Sequence, residues 1–222
     1  MERQKSRRAW LERAAVGGAG LAIALAGLRE ALAAEAVSKG VARVRGDARV
    51  NGQPAALGMA VEPGDAITTG PDAELVAVVG RDAYLARAGS RIEITSGGSA
   101  LIAGTLRVLT GALLAVFAPG EPKEVKTGTA SIGIRGTAMY VEVEADRTYV
   151  CVCYGTAVLV PPDDPQAAET VRTTHHDAPR YLYAKGMPRM IEAAPVVNHT
   201  DAELILLESL VGRKPPFNRA RY

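Results

Sequence analysis

Cysteine is scarce in this chain of 222 residues: there are two copies, Cys151 and Cys153, and both fall on one short stretch. That excludes the disulfide framework that staples many small secreted domains. Tryptophan is rarer, with Trp10 the one copy, so beyond the N-terminus the aromatics are seven Tyr and two Phe, a poor set for stacking sugars. No apolar run reaches the roughly 20 residues of a membrane-spanning helix. An excess of one charge is missing too. The formal net charge is +2, and six of the 26 basic residues but three of the 24 acidic ones lie within residues 1–33, so the remainder is close to neutral. Without a basic stripe, nucleic acid is not an expected partner. The chain has no Gly-x-Ser-x-Gly, no phosphate loop, no Cys-x-x-Cys and no paired-carboxylate motif, and the expectation is a protein that is not an enzyme.

What is present begins with Ser6-Arg7-Arg8-Ala9-Trp10-Leu11, followed by an apolar, glycine-containing run from Ala14 to Leu28 and a small-x-small step at Ala31-Leu32-Ala33. This has the form of a twin-arginine export signal over residues 1–33, with an uncleaved anchor as the alternative. It predicts a periplasmic protein whose mature part keeps no stable membrane span.

The stretch from Thr127 to Val160 organises the rest. Ile132, Ile134, and then Met139, Val141 and Val143 place an apolar residue at every second position, the period of a strand with one face in a core. After the turn at Glu144-Ala145-Asp146-Arg147, Thr148 to Cys153 is apolar on both faces, as in a strand buried on both sides. These segments read as three strands, with Gly133 and Gly136 around Arg135 permitting a bulge or a close backbone crossing. Upstream, Asn51-Gly52 predicts a turn with two positive φ angles, and Pro63-Gly64-Asp65 turns the chain into a strand starting at Ile67. Glycines at 104 and 111, with the alternation of Leu106 and Val108 against Thr105 and Arg107, make the apolar segment from Ala100 to Phe117 strand rather than helix. With strands every eight to twelve residues, an all-β domain is expected over residues 40–160. Residues 161–222 read as an extension with two edge strands, Thr170 to Thr174 and Arg180 to Tyr183. A helix from about Asp201 to Val211 follows, capped by Thr200-Asp201-Ala202-Glu203 and stopped by Gly212 and Pro215. Leu204, Leu207 and Val211 share one helix face, which is expected to dock over the open end of the β domain and protect its edge.

Two blocks are more particular than generic β sequence. One is Thr-x-x-Ala-Ser-Ile-Gly-Ile-Arg-Gly-Thr-x-Met-x-Val from Thr127 to Val141, followed by Thr-Tyr-Val and Tyr-Gly-Thr-Ala-Val; the other is Gly-Asp-x-Ile-x-Thr-Gly from Gly64 to Gly70. Together they resemble the FecR family of bacterial periplasmic domains, over roughly residues 40–160. The resemblance implies a twisted, solenoid-like or sandwich-like stack of short strands, with Gly64, Asp65, Thr69, Gly70, Gly133, Arg135, Gly136 and Thr137 as its structural motif. It also implies a signalling or scaffold module that works through contacts with a periplasmic or envelope protein. Relatives of the classical kind carry a cytoplasmic segment that controls a sigma factor. About a dozen residues precede the apolar run here, so that segment is not expected. Arg135 is expected to hydrogen-bond carbonyls or a carboxylate, with Asp65 as the candidate.

Reactive side chains concentrate in the last third. A Cys-x-Cys pair on a strand sets both sulfurs on one face, with Cα atoms roughly 6.5–7 Å apart, at or beyond the range a disulfide accepts. Two readings stay open for Cys151 and Cys153: small hydrophobes in the core, or thiolates that hold a transition metal with one imidazole from His175 or His176. Those two histidines point to opposite faces of an extended chain, so at most one would join the thiols. His199, one residue before Thr200, is expected to support the start of the helix.

Overall fold

The structure is a computed structural model that describes residues 39–96, 103–120, 122–187 and 189–217, within a compact unit spanning residues 37–222. The proposed export signal, residues 1–33, lies outside the described residues. Among those described, no helix is long and apolar enough to cross a membrane.

Among the described residues the fold is all-β apart from one short 3-10 turn and one helix, and fourteen strands form a single open sheet. Its plan follows from three long strands, β8 (Ala103–Val116), β10 (Ser131–Val143) and β11 (Arg147–Val160). Each is shared between two layers. The second half of β8 pairs with β6 (Asp82–Ala86) and with the second half of β10, which pairs with the first half of β11. β5 (Glu74–Val79) continues this layer to β1 (Gly40–Arg45), and β13 (Arg180–Tyr183) and β14 (Ile191–Ala193) continue it at the other end. The opposite halves belong to a second layer with β7 (Arg91–Ser96), β9 (Lys123–Lys126) and β12 (Glu169–Thr173). β7 leads on to β4 (Ala66–Thr69), β2 (Ala48–Val50) and β3 (Gln53–Pro54). The expected open, all-β stack of strands is found, bent so that its long strands serve two layers.

The long strands pass between layers at Gly111, Gly136 and Gly155, all with positive φ. An extra residue in a strand reverses which side chains face inward, and the inner core records it. In β8 the core residues change from Leu106 and Val108 to Leu113 and Ala115; in β10 from Ile132 and Ile134 to Met139 and Val141; in β11 from Val150 and Val152 to Ala157 and Leu159. What reads as separate short strands before and after Gly136 is therefore one bent strand. Gly136 and Gly155 meet at this bend: a Cβ on Gly155 would lie 2.9 Å from the Gly136 carbonyl oxygen and 2.7 Å from Thr137 Oγ1. Gly133, by contrast, faces open space.

The turns form as the residues predict. Asn51 and Gly52 both have positive φ. Asp65 accepts from the Glu62 N–H at 2.8 Å and from Asn51 Nδ2 at 2.6 Å, closing the Pro63-Gly64 turn. Asp82 and Lys123 form a buried ion pair at 2.5 Å, which ties β6 to β9 and was not legible in the sequence.

The inner face of the first layer packs on the second layer, and its outer face is buried as well. Val76, Val78, Leu85, Leu114 and Val116 meet Leu204 and Leu207 of the helix α1 (Asp201–Leu210) there. The expected capping box is present, with Thr200 Oγ1 accepting from the Glu203 N–H and Glu203 accepting from the Thr200 N–H. The helix lies against β6 and β8, so it covers a sheet face and not the sheet edge as expected. A face already rich in Val and Leu offers α1 more apolar area than an edge of backbone polar groups would.

Candidate metal centre

Strand β11 sorts its side chains by parity. Val150 and Val152 point into the inner core, while Tyr149, Cys151 and Cys153 point to the outer face under the C-terminal segment. Both cysteines are free thiols and fully buried.

The histidines arrive by two routes. After β12 the chain turns at Thr174-His175-His176-Asp177, where the Asp177 carboxylate accepts from the Thr174 N–H at 3.0 Å and from the His175 N–H at 3.3 Å. His176 has φ +56, and its N–H donates to the Cys153 carbonyl at 2.9 Å. The left-handed residue breaks the extended alternation, so the expectation that His175 and His176 face opposite ways does not hold: both rings reach Asp201. His175 Nε2 meets the two Asp201 oxygens at 2.9 Å each and is not among the groups around the sulfurs. His199 comes from the loop before α1, and its ring stacks on Tyr140 at 4.8 Å between centroids.

One ligand atom each from Cys151, Cys153, His176 and His199 lies within 4.8 Å of all the others, and all four residues are buried. His176 Nδ1 is 3.4 Å from Cys151 Sγ and 2.9 Å from His199 Nε2. Zinc with two sulfurs near 2.3 Å and two nitrogens near 2.0 Å has tetrahedron edges of roughly 3.3–3.8 Å, so the donor set is close to closing on such an ion.

The outward ring nitrogens fix how the rings are protonated. His199 Nδ1 lies 2.7 Å from the Val197 carbonyl oxygen, and His176 Nε2 lies 3.1 Å from Asp201 Oδ1; both oxygens accept, so both nitrogens donate. His199 Nε2 is thereby an acceptor, and His176 Nδ1 lies between it and Cys151 Sγ, so these are the atoms that a bound cation would take. A histidine whose second nitrogen is held by a carboxylate or carbonyl is the usual arrangement around a bound metal.

The thiols follow the same logic. Cys151 is lowered to about 4 by its hydrogen bond with Cys153 and by the His176 and His199 rings, whereas burial pushes Cys153 well up. The pair thus holds one negative charge and shares one proton. Burial alone would lower His176, but the Cys151 sulfur and Asp201 raise it above the ordinary histidine value. Without an ion, Cys151 and His176 each favour the other's charged form. A divalent ion would meet two thiolates and two neutral imidazoles, a set with no net charge to bury.

The structure assigns the motif residues to architecture. Thr69 Oγ1 donates to the Arg87 carbonyl and accepts from the Ser90 N–H, Thr137 Oγ1 donates to the Thr156 carbonyl, and Gly70 N–H donates to Asp47. The expected Arg135–Asp65 pairing is absent. Asp65 is engaged by Asn51 and Glu62, while Arg135 is exposed on the outer face of the second layer. That face is solvated, so a charge there needs no buried partner. Of the expected metal ligands, Cys151, Cys153 and His176 converge and His175 does not. His199 and Asp201 were not read as part of the site. The one available hint was that both flank the capping residue Thr200.

No protein-family model matches the chain, and no curated protein does. Among solved structures, two of a candidate anti-sigma factor from Parabacteroides distasonis are similar, at 14% and 13% identity, each with a TM-score of 0.47. The match covers 58% of this chain and 58% of theirs, so the chain spans a little over half of the structures it matches.

Proposed function

We propose that this chain is an exported, non-enzymatic β module that binds one transition-metal ion of zinc-like preference through Cys151, Cys153, His176 and His199. One observation carries the reading: four buried donors, two of sulfur and two of nitrogen, gathered within 4.8 Å from three separated stretches of chain. The set is closed and buried, the form of a site that holds its ion for structure or sensing. Protein purified from the periplasm should carry close to one equivalent of metal, and Cys153→Ser should lose it while the circular dichroism of the strands is retained. Thiols that react freely with an alkylating reagent in native, metal-replete protein would sink the reading.

A second reading concerns the setting in which such a site would act. The Gly64–Gly70 and Thr127–Val141 blocks support a FecR-like signalling or scaffold module that meets a periplasmic or envelope protein, and the 1–33 segment supports export through the twin-arginine route. Co-purification from the periplasm tests the first point, and the mass of the exported protein tests the second.

A further inference from the structure

The ligands of the proposed metal centre do not all belong to the same part of the fold. Cys151 and Cys153 stand on β11, and His176 is held to that strand by its own N–H to the Cys153 carbonyl. His199 belongs to the segment 194–217, which crosses the outer face of the first layer and includes α1. The inner core contains no residue of this segment: its last members are Leu182 and the flanking Ile191. Its buried and half-buried apolar side chains, from Ala194 and Val197 through Leu204 and Leu207 to Phe217, pack in the outer cluster, while Ile205 and Leu206 are exposed. The segment is therefore a strap laid over a sandwich whose core is complete without it.

Its remaining attachments include Asp201 on the rings of His175 and His176 and Asn198 Nδ2 donating to Glu142. Tyr149 Oη donates to the Pro195 carbonyl at 2.9 Å, and Arg87 pairs with Glu203 at 2.8 Å. At the far end Glu208 bonds the Tyr154 hydroxyl and pairs with Arg213 at 2.6 Å, and Arg213 also reaches the Arg81 carbonyl. Between these anchors lies the point where His199 Nε2 faces His176 Nδ1 at 2.9 Å. A cation there would take both rings and the two sulfurs at once, adding a tie from sheet to strap beyond the direct contact of the rings. Its loss removes that added tie and leaves the segment to its other contacts.

Resting on the metal-binding reading, we propose that the ion is a regulated bolt: metal bound by Cys151, Cys153 and His176 on the sheet captures His199 and locks the strap 194–217, and loss of metal releases the strap while the sandwich stays folded. Binding free energy that requires a docked strap is docking free energy, and the coupling runs both ways.

The test uses the full-length protein, zinc as the probe, and hydrogen exchange read by mass spectrometry with and without a chelator. Zinc stoichiometry is measured on the same samples. With one equivalent of zinc, α1 amides should exchange at least tenfold more slowly than in the metal-free protein, while amides of β8 and β10 are unchanged. One equivalent of zinc with α1 exchanging at the same rate in both states overturns the bolt and leaves the metal-binding reading standing; no zinc bound overturns both. Unfolding of the whole sandwich on chelation also overturns the bolt, since the ion would then be a core staple. A second measurement needs no change of ligand. Arg213→Ala removes the ion pair of Glu208 and the bond to the Arg81 carbonyl at the far end of the strap, and coupling predicts that zinc binds at least fivefold more weakly, a value at the low end of ordinary coupling between sites. Unchanged zinc affinity, with α1 loosened in the variant, would contradict it.

Discussion

Two buried clusters share the strands of this protein and differ in almost everything else. The inner one, between the layers, is drawn from nearly every strand and is apolar but for the Tyr84 hydroxyl, which donates to Asp82 of the buried Asp82–Lys123 pair. The outer one, beneath the C-terminal segment, mixes Val and Leu with Tyr140, Tyr149, Tyr154, Cys151 and Cys153, and borders three histidines and Asp201. Strand β11 serves both, with Val150 and Val152 on one side and Cys151 and Cys153 on the other. The difference teaches that period-two alternation can separate stability from chemistry on a single strand. The inner face needs only shape and apolar area, whereas the outer face must satisfy polar groups that burial would otherwise penalise.

The largest effect should come from cutting the inner cluster. Leu113→Ala removes a fully buried side chain between the layers and should cost about 2–5 kcal/mol of global stability, read as a lower denaturant midpoint. The same truncation at Leu207, equally buried, should instead loosen α1 and leave the midpoint of the strands near wild type. Equal global losses would erase the distinction between the clusters.

Alkaline pH should come next. Burial raises Tyr84 on the inner side and Tyr140, Tyr149 and Tyr154 on the outer side above the ordinary tyrosine value. A group whose folded pKa is raised contributes stability that is intact below its unfolded pKa, about 10, and is lost as pH rises beyond it. Denaturant midpoints should therefore hold up to about pH 10 and then fall, with tyrosinate absorbance from these residues appearing only as structure is lost. Reversible titration of all tyrosines near pH 10 in folded protein would count against this burial.

The smallest effect should be that of Thr200→Ala. Losing the capping side chain costs about 0.5–2 kcal/mol, and the loss should register as faster exchange in the first turn of α1 with the inner layers untouched.

Local patterning made much of the architecture legible. Alternation announced the strands, Asn51-Gly52 and Gly64-Asp65 announced their turns, and Thr200 with Glu203 announced the start of α1. Each depends on residues a few positions apart, whose preferences act before any tertiary contact. Part of the site was legible for the same reason: Cys151 and Cys153 share a face because they are two apart on a strand, and the His175-His176 pair was a candidate to join them. The rest was not. That Gly136 and Gly155 meet, that Ile134 and Met139 line one core on one bent strand, and that α1 lies on a face were decided by how the layers fold onto each other.

What the sequence by itself determined, then, is a set of short extended segments, their turns, a capped helix and a pair of thiols on a common side. What only the tertiary structure decided is the company those thiols keep. His199 reaches them across some fifty residues of chain, Asp201 holds the His176 ring, and His176 turns toward them through one left-handed backbone step that no periodicity announces. Period and propensity act along the chain, whereas a coordination sphere is a property of space, assembled only when the strap settles on the outer face and desolvates the groups it brings together.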